Sequence, residues 1–138
     1  MTYLDALQDA LAAEHAALYV VGYLGAQTSA SAQPDLHADL TDAFAAHRTA
    51  RDLLVDQVRA AGGEPVAAAA SYELEDVGGD PTRIRRRALA LERGCAAAYG
   101  YLVANAPSEQ RAAAVGALIA TALRETTFGG RPRPFPGR

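Results

Sequence analysis

Leu4, Leu7, Leu11, Glu14, Leu18, Val21 and Gly25 recur at alternating spacings of three and four along the first segment of the chain, LDALQDALAAEHAALYVVGYLG (4–25). That spacing lays one stripe along a helix, and Glu14 stands in the middle of it where an apolar residue belongs. The pattern returns 78 residues later: Leu11-x-x-Glu14-x7-Gly22-Tyr23-Leu24 matches Leu89-x-x-Glu92-x7-Gly100-Tyr101-Leu102. Glu92 again lies within a stripe, with Leu89, Ala96, Tyr99 and Val103. Two helices therefore point a carboxylate into one core.

Working outward, Thr2 caps the first helix, with Asp5 placed at the positive end of its dipole, and the helix runs to about residue 28. A short polar link ends at Pro34. The second helix follows from Asp35 to about Ala61, with the stripe Leu40, Phe44, His47, Arg51, Leu54 and Val58, and Gly62-Gly63 closes it. Residues 62–80 are too rich in glycine and proline for a long helix and form the one extended connection. Asp80-Pro81 is a cap followed by proline at the first helical turn, so the third helix starts there and reaches about Ala104. Asn105 to Ser108 turns the chain into a fourth helix over about 109–127. The expectation is an all-α, antiparallel four-helix bundle over 1–128 with one long crossover between helices 2 and 3, and a Pro/Gly/Arg-rich tail over 129–138.

With 138 residues the chain suits one domain, and half of them are apolar, much of that alanine. A net charge of -3 gives no reason to expect nucleic acid or an anionic membrane as partner. All 13 basic residues are arginine, which removes Schiff-base chemistry. The single cysteine, Cys95, forms no internal disulfide and fits a reducing cytoplasm; there is no signal-peptide pattern and no apolar run of the roughly 18 residues that a membrane span needs. Gly-rich phosphate loops, Gly-x-Ser-x-Gly turns and cysteine pairs are absent from the sequence.

Folding helix 1 onto helix 2 about residue 30 or 31 sets Glu14 level with His47. Folding helix 3 onto helix 4 about Pro107 sets Glu92 level with Ala122, with Glu125 one turn away. Glu14, His47 and Glu92 thus converge in one layer, two carboxylates and an imidazole suited to one iron, manganese or zinc ion. Arg51, one turn from His47, offers the other solution: its guanidinium takes the place of a metal and neutralises the carboxylates, with Glu125 at the margin. Cys95, one turn after Glu92, reads as a small buried hydrophobe. Tyr19, Tyr23, Tyr99 and Tyr101, which recur in the repeat, read as core residues whose hydroxyls bond a carboxylate. His15, His37 and the arginines at 83, 85, 86 and 87 read as solvated.

The hairpin, crossover, hairpin order with inward glutamates on helices 1 and 3 resembles the ferritin-like superfamily. More closely, the chain resembles the alanine-rich ferritin-like proteins of GC-rich bacteria known as a domain of unknown function. The residues that carry this are Ala13-Glu14-His15-Ala16-Ala17-Leu18-Tyr19, Ala46-His47-Arg48-x-x-Arg51-Asp52, Gly62-Gly63-Glu64-Pro65, Leu91-Glu92-x-Gly94-Cys95 through Tyr99, and Phe135-Pro136-Gly137. Di-iron members place a Glu-x-x-His motif on helices 2 and 4. Here Glu14, His47 and Glu92 match, Phe44 replaces the helix 2 glutamate, and helix 4 offers only apolar residues and Glu125. The resemblance therefore implies at most one metal ion. Two functions follow: a bundle with a metal-free polar core and a structural or interaction role, self-associating as a homodimer or other homo-oligomer through an alanine-rich helix face; or a protein holding one Fe, Mn or Zn ion, with oxidoreductase chemistry if a second ion is recruited. No catalytic residue and no substrate emerge from the sequence.

Overall fold

The computed structural model describes residues 1–138. Four helices account for its regular structure, α1 (Tyr3–Ala26), α2 (Pro34–Ala60), α3 (Pro81–Asn105) and α4 (Ser108–Thr127), with no strands. None is long and apolar enough to cross a membrane. Local chemistry sets the ends. Thr2 Oγ1 accepts from the Asp5 amide at 3.1 Å while the Thr2 amide donates to Asp5 Oδ2 at 3.0 Å, a reciprocal cap on α1. At α3 the Thr82 amide donates to the Asp80 side chain, and Pro81 opens the helix. Gly62, at φ +86°, ends α2, and the Gly63 amide reaches back to Val58 O at 3.0 Å.

The core has two apolar clusters, one at each end of the bundle. Leu7, Leu11, Leu54, Val58, Leu102 and Ala114 belong to one; Val21, Leu24, Leu36, Leu40, Ile84 and Phe128 belong to the other. These pairings run low residue numbers of α1 against high numbers of α2 and α3, and likewise α3 against α4, so packed neighbours are antiparallel. The crossover, 61–80, must then travel the length of the bundle, and it does so along the outside of α1. Gln8 holds it with both ends of its amide, donating to Glu64 O at 2.6 Å and accepting from the Val66 amide at 2.9 Å. Farther on, Tyr19 meets the Tyr72 ring at 5.3 Å and the Tyr23 hydroxyl donates to Glu75 O.

α1 and α3 pack on each other and each carries its hairpin partner, whereas α2 and α4 scarcely touch. One side of the bundle is therefore open. The inward face of α2 also differs from the sequence stripe: Leu36, Leu40, Ala43, His47, Leu54 and Val58 are buried, while Phe44 and Arg51 stand on the flank. Alanine at 43 occupies a core position that a search for large apolar side chains passes over.

A self-neutralised polar cluster in the core

Between the two apolar clusters lies one polar layer. Glu14, His47, Glu92 and Thr121, one from each helix, are all fully buried. Charged groups this deep are costly unless each is paired and hydrogen-bonded. His47 meets that demand at the centre. Its Nδ1 lies 2.6 Å from Glu14 Oε2 and its Nε2 2.7 Å from Glu92 Oε1, so the imidazole is clamped between carboxylates from α1 and α3. The remaining carboxylate oxygens are also engaged: the Tyr99 hydroxyl donates to Glu14 Oε1 at 2.6 Å, and Arg124 Nε donates to Glu92 Oε2 at 3.1 Å. Arg124 also donates to Thr121 Oγ1 at 3.3 Å, and Thr121 in turn donates to Ala117 O.

The electrostatics follow from this wiring. Burial alone would push the His47 pKa down, but the hydrogen bonds to Glu14 and Glu92 and their negative charges outweigh it and raise it to about 9. His47 is then an imidazolium at neutral pH, donating from both nitrogens. Two carboxylates, one imidazolium and one guanidinium sum to zero charge. Burial, followed by the charge of Glu14, drives the Tyr99 hydroxyl well above its ordinary pKa, and burial with the Glu14 and Glu92 charges does the same to the Cys95 thiol. Both stay protonated.

Glu14, His47 and Glu92 are brought together in one layer, and Arg51 is not. Arg51 pairs with its neighbour Asp52 at 2.8 Å, partly exposed, because position 51 lies at the edge of the inward face and its long side chain turns outward. Arg124 takes the neutralising role assigned to Arg51. Glu125 is buried, yet its partner is the tail: both of its oxygens accept from Arg133 at 3.0 Å. The Gly130 amide donates to Glu125 O at 2.8 Å, and Gly137 lies against Ala96 and Gly100, so residues 129–138 are strapped across α3 and α4. Sequence reasoning missed Arg124 and Thr121. The signal was present, since the hairpin fold about Pro107 sets Ala122 level with Glu92, and Arg124 is the nearest cation to that position.

Donor atoms of Glu14, His47 and Cys95 lie within 4.8 Å of one another, a grouping of oxygen, nitrogen and sulfur that could hold a metal ion. Glu92 is not in that group; it sits across the imidazole from Glu14. The fit to a metal is poor as the side chains stand. With the His47 pKa raised to about 9 both ring nitrogens hold protons at neutral pH, both Glu14 oxygens accept hydrogen bonds, and burial holds the Cys95 thiol protonated.

The profile of a family described as "Domain of unknown function (DUF4439)" matches residues 6–138. The chain is also similar to a conserved hypothetical protein from Mycobacterium tuberculosis whose crystal structure is known, at 31% identity and a TM-score of 0.81, covering 90% of this chain and 92% of that one. No curated protein matches. The chain belongs to the DUF4439 family.

Proposed function

We propose that this DUF4439 chain is a ferritin-like bundle in which a self-neutralised ion-pair cluster stands where metal-binding relatives would hold their ions, and that its role is structural or interactive. One observation carries the reading: His47 is clamped through both ring nitrogens, at 2.6 and 2.7 Å, between two buried carboxylates whose other oxygens are already bonded. A histidine with both nitrogens donating has no lone pair for a metal. Such a cluster fixes the relative height of all four helices, because each polar group has partners at only one level of the bundle. The experiment is elemental analysis of protein purified without chelator from cells supplemented with iron, manganese and zinc. Far less than one equivalent per chain is expected. Stoichiometric metal that disappears in Glu14→Ala would overturn the proposal.

The closeness of Glu14, His47 and Cys95 supports a second reading, in which one Fe, Mn or Zn ion binds there. It requires His47 to give up one carboxylate partner and Cys95 to ionise against its burial. The same elemental analysis, repeated on Cys95→Ser, separates it from a site built on Glu92. Oxygen chemistry of the bridged two-ion kind would further need a second ion, for which this layer supplies no additional unpaired donor.

A further inference from the structure

Residues 112–123 of α4, AAAVGALIATAL, contain no charged residue. A helix that is apolar on all sides is normally buried on all sides. This one is not. Only Ala114, Thr121 and Glu125 of α4 are buried, while Ile119 is 53% and Leu123 63% exposed, and Ala112, Val115, Gly116 and Ala120 are exposed with them. On the neighbouring helix Leu53 is 56% exposed, and between the two helices lies a groove of about 480 Å³ walled by Ala45, Ala46, Ala50, Ala113 and Ala117. With Thr49, Thr121 and Arg124 as the polar residues along the groove, the open side of the bundle is a largely apolar surface.

We infer that this surface is the interface of a two-fold dimer, in which α4 of one copy packs antiparallel against α4 of a second copy. The inference deepens the interaction role proposed above and names its partner. Self-complementarity favours a second copy. Ala112, Gly116 and Ala120, at successive spacings of four, form a shallow furrow that permits close helix approach, and Ile119 and Leu123 form a ridge beside it. A two-fold axis near Gly116 and Ile119 seats each ridge against the other copy's α2–α4 groove. An uncharged run has nothing to repel its own copy, and the antiparallel arrangement sets the N-terminus of each α4 beside the C-terminus of the other. The area suffices: a 20-residue helix is roughly 30 Å long. Two helices across, the face approaches the ~800 Å² per partner of a standard interface. A membrane surface is the weaker occupant, since a bilayer-seeking helix carries a lysine- and arginine-rich polar face and this chain has a net charge of -3.

The test is sedimentation equilibrium of the full chain at micromolar concentration. The wild type is expected at twice 14.4 kDa. Ile119→Glu and Leu123→Glu, each with unchanged helical circular dichroism, are expected at 14.4 kDa, with association weaker by on the order of 100-fold. Leu74→Glu, an exposed apolar residue on the crossover, should remain dimeric. If the charged variants unfold, Ile119→Cys replaces them: the native Cys95 is buried, so an intermolecular disulfide on mild oxidation reports the α4 pairing. A monomeric wild type, a dimer indifferent to both charged variants, an Ile119→Cys protein that does not cross-link, or a monomer that binds anionic phosphatidylserine vesicles would each overturn the inference. None of these variants alters the polar cluster, so a metal found in the core would leave this result standing, and a monomer would leave the metal result standing.

Discussion

At the scale of single residues, His47 is the point on which the interior balances. It gains a proton on folding because two carboxylates wait for it, so the folded protein binds more protons than the unfolded chain between pH 6.5 and about 9. Stability must then fall as pH rises through that interval. The contribution is fully present below pH 6.5 and is lost above about 9, at roughly 1.4 kcal/mol per pH unit and on the order of 3 kcal/mol in all. Urea denaturation at several pH values from 6 to 10 measures it; a flat profile would mean that the imidazolium assignment is wrong. His47→Gln should abolish the slope between pH 6.5 and about 8, leaving only the fall at higher pH where Cys95 and Tyr99 ionise in the unfolded chain but not in the folded one. At pH 7 it should cost about 3–5 kcal/mol, because it strands Glu14 and Glu92 with less than their charge in partners. The identities of Glu14, His47 and Glu92 were legible from the sequence because a charged residue inside an apolar stripe announces itself. Arg124 was legible only through the hairpin register that sets Ala122 level with Glu92, because the apolar stripe itself does not say which arginine a long side chain will carry inward.

At the scale of elements, the helices could be read to within one or two residues from caps and breakers: Thr2 with Asp5, Pro34, Gly62, and Asp80 with Pro81. Their rotation could not. Along α2 the true inward face substitutes Ala43 for Phe44, and a methyl group carries too little apolar signal to set the phase of a stripe. The C-terminal strap was equally opaque, because its anchors are backbone contacts at glycine. Gly137 sits at φ +83°, and a Cβ there would come 2.5 Å from Ala96 O. Gly137→Ala therefore cannot hold the native approach of the strap to α3. The expected result is faster hydrogen exchange at the Gly130 amide, which donates to Glu125 O, with the amides of α1 unchanged. Equal protection of Gly130 in both proteins would show that the Arg133–Glu125 pair alone secures the strap.

For the whole molecule, the layout is a central antiparallel pair, α1 and α3, with α2 and α4 attached on one side each and a single polar layer tying all four at mid-height. The attachments are unequal. α1 buries nine residues and α4 buries three, so α4 owes its place to α3, to the Arg124–Glu92 and Thr121 contacts, and to the strap. Few buried contacts mean a low free energy of local opening, which sets the order in which the structure comes apart. Native-state hydrogen exchange of the isolated chain should show α4 amides exchanging through a partial opening while α1 and α3 amides exchange only on global unfolding. If α4 is the dimer interface, that partial opening depends on concentration: α4 protection rises as dimer forms and stays low in Ile119→Glu at every concentration, because occupancy of a site on the closed state stabilises that state by mass action. Protection of α4 equal to that of α1 at dilution would show that the fourth helix is held by the monomer alone, and the open apolar side would then need another explanation than the missing copy.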